Sequence, residues 1–150
     1  MPFPKIGKAI VACAVVLALL GSHSTAQSSS DPADGQGAAV LENTKWSAIG
    51  IDADTLNTDK RPEIGFETEG AFGGSGGCNR FMGQAEISGN MIDFPDNIAA
   101  TLMACPPELE QVERQFFDAL QTVATYAVAG DSLVMLDTAG EPVLKFVRVE

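Results

Sequence analysis

The chain is poor in the side chains that carry most acid–base and metal chemistry near neutral pH. It has one histidine in 150 residues, His23. That residue lies next to an N-terminal apolar run, so a chain cleaved after the run has none. Ser-His-Asp and Cys-His mechanisms are then excluded, and so is a histidine metal ligand. Tryptophan and tyrosine occur once each, as Trp46 and Tyr126. The three cysteines do not form a Cys-x-x-Cys motif, which excludes a thioredoxin-like redox pair, and cysteines without histidine make a poor zinc site. The apolar run itself is shorter than the ~20 residues needed to cross a bilayer.

What the N-terminus does contain reads as an export signal. Lys5 and Lys8 supply a positive start, residues 9–20 an apolar stretch, and Ser24-Thr25-Ala26 small residues suited to cleavage after Ala26. Residues 27–39 are rich in Ser, Gly, Asp and Gln and read as a flexible linker. Residues 40–150 are enough for one domain. Removing residues 1–26 leaves 7 basic against 20 acidic residues, a net charge of −13. Such a surface repels nucleic acid and anionic lipid and favours a soluble monomer, so no nucleic-acid partner and no stable membrane insertion are expected after cleavage. Cys13 leaves with the signal. Cys78 and Cys105 remain, and an even count in an exported chain favours a disulfide between them.

Along the domain, period-two alternation marks strands and one stretch marks a helix. Trp46, Ile49 and Ile51 suggest an entering strand with Trp46 as core anchor. Residues 52–62 form a polar loop. Asp52, Asp54 and Glu63 stand at EF-hand positions 1, 3 and 12, but Leu56 and Asn57 occupy places that need a ligand and a glycine, so the loop reads as solvated and no metal is expected. Residues 63–69 alternate, with Ile64 and Phe66 inward and Glu63, Glu67 and Glu69 outward. Gly73, Gly74, Gly76 and Gly77 lack the Lys-Ser/Thr of a phosphate loop and read as a bend or bulge. Residues 81–88 and 91–94 flank a hairpin turn at Ser88-Gly89-Asn90, and residues 97–105 read as an extended link. A helix is expected over residues 107–124. It opens on Pro106-Pro107, carries Glu108, Glu110 and Glu113 in its first turns, and has an apolar stripe of Leu109, Val112, Phe116, Leu120 and Val123. Three further strands follow, with turns at Gly130 and Gly140.

The run Gly77-Cys78-Asn79-Arg80-Phe81 with Gly83, the segment Thr101-Leu102-Met103-Ala104-Cys105 before an acidic amphipathic helix, and Gly130-Asp131-Ser132-Leu133 followed by Leu144-Lys145-Phe146 resemble the META/HslJ domain of bacterial envelope proteins. The resemblance covers about residues 40–149. It implies a mainly β (α+β) fold, a small antiparallel β-barrel-like sheet with one amphipathic helix packed against it. Closing that sheet would remove its exposed edges. It also implies a periplasmic or secreted location and, for some members, a link to stress response and antibiotic tolerance. It brings no catalytic residues and no cofactor. Many members look like lipoproteins, whereas this chain has no cysteine placed for lipidation.

The expected function is therefore that of an exported, non-catalytic envelope protein, a binding or stress-tolerance module for an unidentified protein or small-molecule ligand. The alternatives are a protein inhibitor and a carboxylate-based hydrolase using, for example, Asp93 with Glu67. Asn79 and Arg80 are the candidate ligand-binding residues. A guanidinium beside a glycine bend can hold an anion; structurally, Asn79 would cap the bend and Arg80 would pair with a carboxylate. The Cys78–Cys105 bond would close a loop worth about 3–4 kcal/mol in chain entropy.

Overall fold

The computed structural model describes residues 40–149. The expected signal and linker lie outside them. Among the described residues eleven strands and the helix α1 follow in the order β1 (Thr44–Ile51), β2 (Asp54–Thr55), β3 (Glu63–Phe66), β4 (Ala71–Ser75), β5 (Arg80–Gln84), β6 (Glu86–Ser88), β7 (Met91–Asp93), β8 (Ala99–Ala100), α1 (Pro107–Leu120), β9 (Val123–Ala129), β10 (Ser132–Asp137) and β11 (Pro142–Val149). All pairings are antiparallel and give one curled sheet, β6-β7-β9-β10-β11-β1-β3-β4-β5-β8, with β2 beside β1. The first strand pairs with the last, Lys45 opposite Val149 and Ile51 opposite Leu144.

Alternation sets the inner face. Trp46 and Ala48 of β1, Ile64 and Phe66 of β3, Phe72 of β4, Phe81 of β5, Leu133 and Met135 of β10 and Phe146 of β11 are all buried. Burying the apolar area of these large side chains is the main favourable term for the fold. Helix α1 lies on this face through Phe116, which is fully buried. Its ring centroid is 5.7 Å from Phe81 and 6.4 Å from Phe146. Pro107 at the helix start needs no partner for its missing N–H. Register shifts between Ala48 and Gly50, Met135 and Leu136, and Leu136 and Asp137 sharpen the curl.

Four details differ from the reading of the sequence. The sheet curls into a half-barrel without closing, and β6 and β8 remain its edges. Gly73 and Gly74 do not bend the chain; they lie inside β4, paired with Gly65 and Ile64 of β3. A Cβ on Gly74 would stand 1.9 Å from the Glu63 carbonyl oxygen, so glycine is needed for strand approach rather than for a turn. The acidic alternation ends at Phe66, and Glu69 takes a left-handed φ of 59° in a 3-10 turn, Thr68–Gly70. Finally, α1 stops at Leu120. The Thr122 hydroxyl and N–H both turn back onto the Ala119 carbonyl, at 2.8 and 3.0 Å, and Val123 opens β9.

Candidate functional site

The Cys78-Asn79-Arg80 motif sits where the β4–β5 connection meets α1. Residues 76–79 form a tight turn closed by the Gly76 N–H on the Asn79 carbonyl at 2.8 Å. The turn directs three donors at one point. The Cys78 N–H (3.3 Å) and Asn79 N–H (2.6 Å) bond Oε2 of Glu113, and Asn79 Nδ2 bonds Oε1 of Glu113 at 2.6 Å. Converging N–H groups of this kind are a standard anion cradle. The anion here belongs to the chain's own helix. A Cβ on Gly76 would lie 2.6 Å from Cγ and 2.7 Å from Oε2 of Glu113, so only glycine admits that side chain.

The other half of the Asn79 carboxamide faces the segment before α1. Its Oδ1 accepts from the Thr101 hydroxyl at 2.9 Å and from the Met103 N–H at 2.7 Å. The disulfide Cys78–Cys105 joins the same two segments, and Asn79 Nδ2 lies 3.5 Å from Cys105 Sγ. Asn79 and Glu113 are both buried, and among the described residues no buried side-chain polar atom lacks a partner. A fully satisfied polar cluster of this kind rigidifies its surroundings.

Arg80 does not join the cluster. It is exposed on the outer face of β5, and its backbone pairs with Thr101: the Thr101 N–H donates to the Arg80 carbonyl at 2.9 Å, and the Arg80 N–H to the Thr101 hydroxyl at 3.1 Å. Among the described residues the ion pairs are Arg114–Glu110 and Arg148–Asp131, so Arg80 has no carboxylate partner there. The sequence motif thus splits at one peptide bond: Asn79 is buried and bonded within the fold, and Arg80 faces solvent.

Asp93 lines an open groove of about 930 Å³ with Glu86, Asp137 and the apolar Ile92 and Val123, between the β6–β7 hairpin and β9. Glu67 lines other surface grooves, beside Gly73. Asp52, Asp54 and Glu63 form no metal-holding group, and none is found among the described residues. No helix among them is long and apolar enough to cross a membrane.

The residue that sequence reasoning missed is Glu113. In the sequence it reads as one of the acids suited to the positive end of the helix. Its spacing held a stronger signal. Position 113 is four after Leu109, three before Phe116 and seven before Leu120, so a carboxylate occupies the apolar stripe. A charge at such a position needs a dedicated partner.

An open antiparallel half-barrel, filled by one helix and locked to it through a glycine turn, defines a small single-helix β domain. The chain belongs to the META domain family, whose model matches residues 39–150. Its fold is also that of solved structures with low sequence identity. A Burkholderia xenovorans protein determined by NMR is 21% identical, with a TM-score of 0.62, over 96% of this chain and 99% of that one. A second NMR structure is 22% identical, with a TM-score of 0.57, over 73% and 92%. A DUF4847 family protein from Bacteroides vulgatus is 14% identical, with a TM-score of 0.53, over 73% and 94%. None of the curated proteins matches the chain.

Proposed function

We propose that this META domain is exported to the periplasm or cell exterior and acts there as a non-catalytic binding module in envelope maintenance or stress tolerance. The supporting observation is the direction in which the motif works. Its donors, its carboxamide and its disulfide all turn inward. What they hold outward is residues 99–104, an exposed uncharged strip in which Leu102 is 97% and Met103 56% exposed. Apolar surface held rigidly in water is the usual mark of an interaction site. Export is supported by the signal-like N-terminus and by a disulfide bond, which persists in oxidising compartments.

The test is capture from envelope extract with the domain cleaved after Ala26, washed in parallel with a Leu102→Asp control. A specific partner or ligand held by the wild-type domain supports the reading. Repeated failure to retain anything removes it. Hydrolysis in a screen of ester, phosphoester and glycoside substrates, lost on Asp93→Asn, would replace it with the carboxylate hydrolase. Mass analysis of the exported form should place its first residue at Gln27; retention of residues 1–26 would contradict export with cleavage.

A further inference from the structure

Strand β8 ends the sheet, and among the described residues no strand lies beyond it. It meets β5 through only two pairs, Phe81 with Ala100 and Met82 with Ala99. The Thr101 N–H points to β5, so alternation turns the N–H and C=O of Ala100 outward, free to pair with another chain. Proteins blunt such edges with charge, proline or a covering loop. Strand β8 is short, but among the described residues it carries no charge, proline or covering loop. Residues 99–104 read A-A-T-L-M-A, six exposed residues in a row without a charge or proline. Met82, 67% exposed, extends the apolar strip onto β5. The edge is also fixed in place from behind, by Asn79 at Thr101 and Met103 and by the disulfide at Cys105.

Charge narrows the occupant. Arg80, on β5 next to this edge, is exposed and has no carboxylate partner among the described residues. Arg80 is exposed two residues before Met82 and lies across from Ser75, and Ser75 shares a groove with Lys60 and Arg61, as well as Asp59 and Glu63. A second copy is a poor fit. Two edges, of two residues at β8 and three at β6, bury much less than the ~1,000 Å² a stable interface needs. A bilayer is a poor fit too, because hydrocarbon leaves outward N–H and C=O groups unpaired.

We infer that the β8 edge takes up an extended acidic and apolar peptide segment of a partner protein as an added strand. Main-chain bonds form at Ala100, apolar side chains of the segment pack on Leu102, Met103 and Met82, and its carboxylates meet Arg80. This is strand addition at an open sheet edge, with side-chain pockets setting preference. The inference rests on the reading of the domain as a binding module and names the class of partner.

The probe is a phage-displayed library of short random peptides, selected on the oxidised domain from residue 27 and counter-selected on Leu102→Asp. Both side chains at that position are solvent-exposed, so folding is retained and can be checked by Trp46 fluorescence. Enriched peptides are expected to lack internal proline, to alternate apolar residues and to be rich in Asp and Glu. A synthetic peptide of the enriched sequence should protect the Ala100 amide from hydrogen exchange. It should lose about tenfold or more in affinity on Arg80→Glu and fail to bind Ala100→Pro. Absence of enrichment, enrichment of basic peptides, or binding indifferent to Arg80→Glu and Ala100→Pro would each overturn the inference. So would Leu102-dependent co-sedimentation with phosphatidylethanolamine and phosphatidylglycerol vesicles in the absence of peptide binding, or a Leu102-dependent dimer in sedimentation. If envelope capture succeeds but is insensitive to Leu102→Asp, the binding module stands and this edge is not its site.

Discussion

Replacing Glu113 by glutamine tests the central cluster without changing its volume. The carboxylate accepts three hydrogen bonds, from Cys78 N–H, Asn79 N–H and Asn79 Nδ2. A glutamine oxygen placed at the Oε2 position keeps both backbone bonds, but its NH₂ then faces the Asn79 NH₂, donor against donor. Turning the Asn79 carboxamide over relieves that conflict and creates another, since its NH₂ would then face the Met103 N–H, which now lies 2.7 Å from Oδ1. No arrangement of two amides satisfies the site. One bond is lost with its donors left buried, and two fall from charge-assisted to neutral strength. Charged hydrogen bonds contribute ~1.5–3 kcal/mol each and a stranded buried donor costs ~1–3 kcal/mol. Relief of the buried charge offsets part of this, leaving a net loss of about 2–4 kcal/mol. The assay is urea unfolding followed by Trp46, the sole tryptophan. The midpoint should fall at unchanged slope, and the Glu113→Gln/Asn79→Ala double variant should show a coupling above ~1 kcal/mol. A change within about 0.5 kcal/mol, the range of an ordinary surface substitution, would refute the carboxylate's role as the anion of the glycine turn.

Three further outcomes follow. The double variant Cys78→Ser/Cys105→Ser should unfold with about 3–4 kcal/mol less stability, and thiol titration of the denatured, oxidised wild-type domain should find neither cysteine free. Gly76→Ala should cost about 1–3 kcal/mol through overpacking against Glu113, measured by the same urea assay, with part of the loss recovered on Glu113→Asp. Tyr126 is buried and donates its hydroxyl to the Gly89 carbonyl at 3.0 Å, and burial raises its pKa above the 10.0 of a free phenol. The folded value exceeds the unfolded one, so the stability it contributes is whole below the unfolded pKa and is lost as pH rises through the folded pKa. Absorbance titration of this one tyrosine should show a single ionisation above that of the urea-unfolded chain; coincident curves would contradict its burial.

Alternation and helical periodicity made most strands, the inner face and the helix legible, because both record which residues leave water; the order in which the strands pair was not. Trp46, Phe66 and Phe116 were marked by type and spacing and are buried in the core. Close approach between backbones was less legible. Glycine serves a turn and a tight strand pair equally well, and only the partner strand decides. Gly74 was therefore read as part of a bend, although the Glu63 carbonyl across the ladder is what requires it. Asn79 was visible as unusual, but its partners lie 22 to 34 residues away, beyond any local pattern. The open edge at β8 was hidden for a related reason: two alanines carry no strand signal, and the Asn79 and disulfide contacts that flank their pairing with β5 join residues 22 or more positions apart.

The pairing of the first strand with the last has a bearing on how the chain is made. Strand β1 lies between β11 and β3, so the middle of the sheet stays incomplete until residues 142–149 have emerged from the ribosome. Synthesis of residues 142–149 must finish before the domain can settle, and the nascent segment spends that interval without the strand that flanks Trp46. Contacts between chain ends are the slowest to form. A polypeptide halted short of residue 142 has no native state to reach, and a protease at the exit meets it as an open substrate.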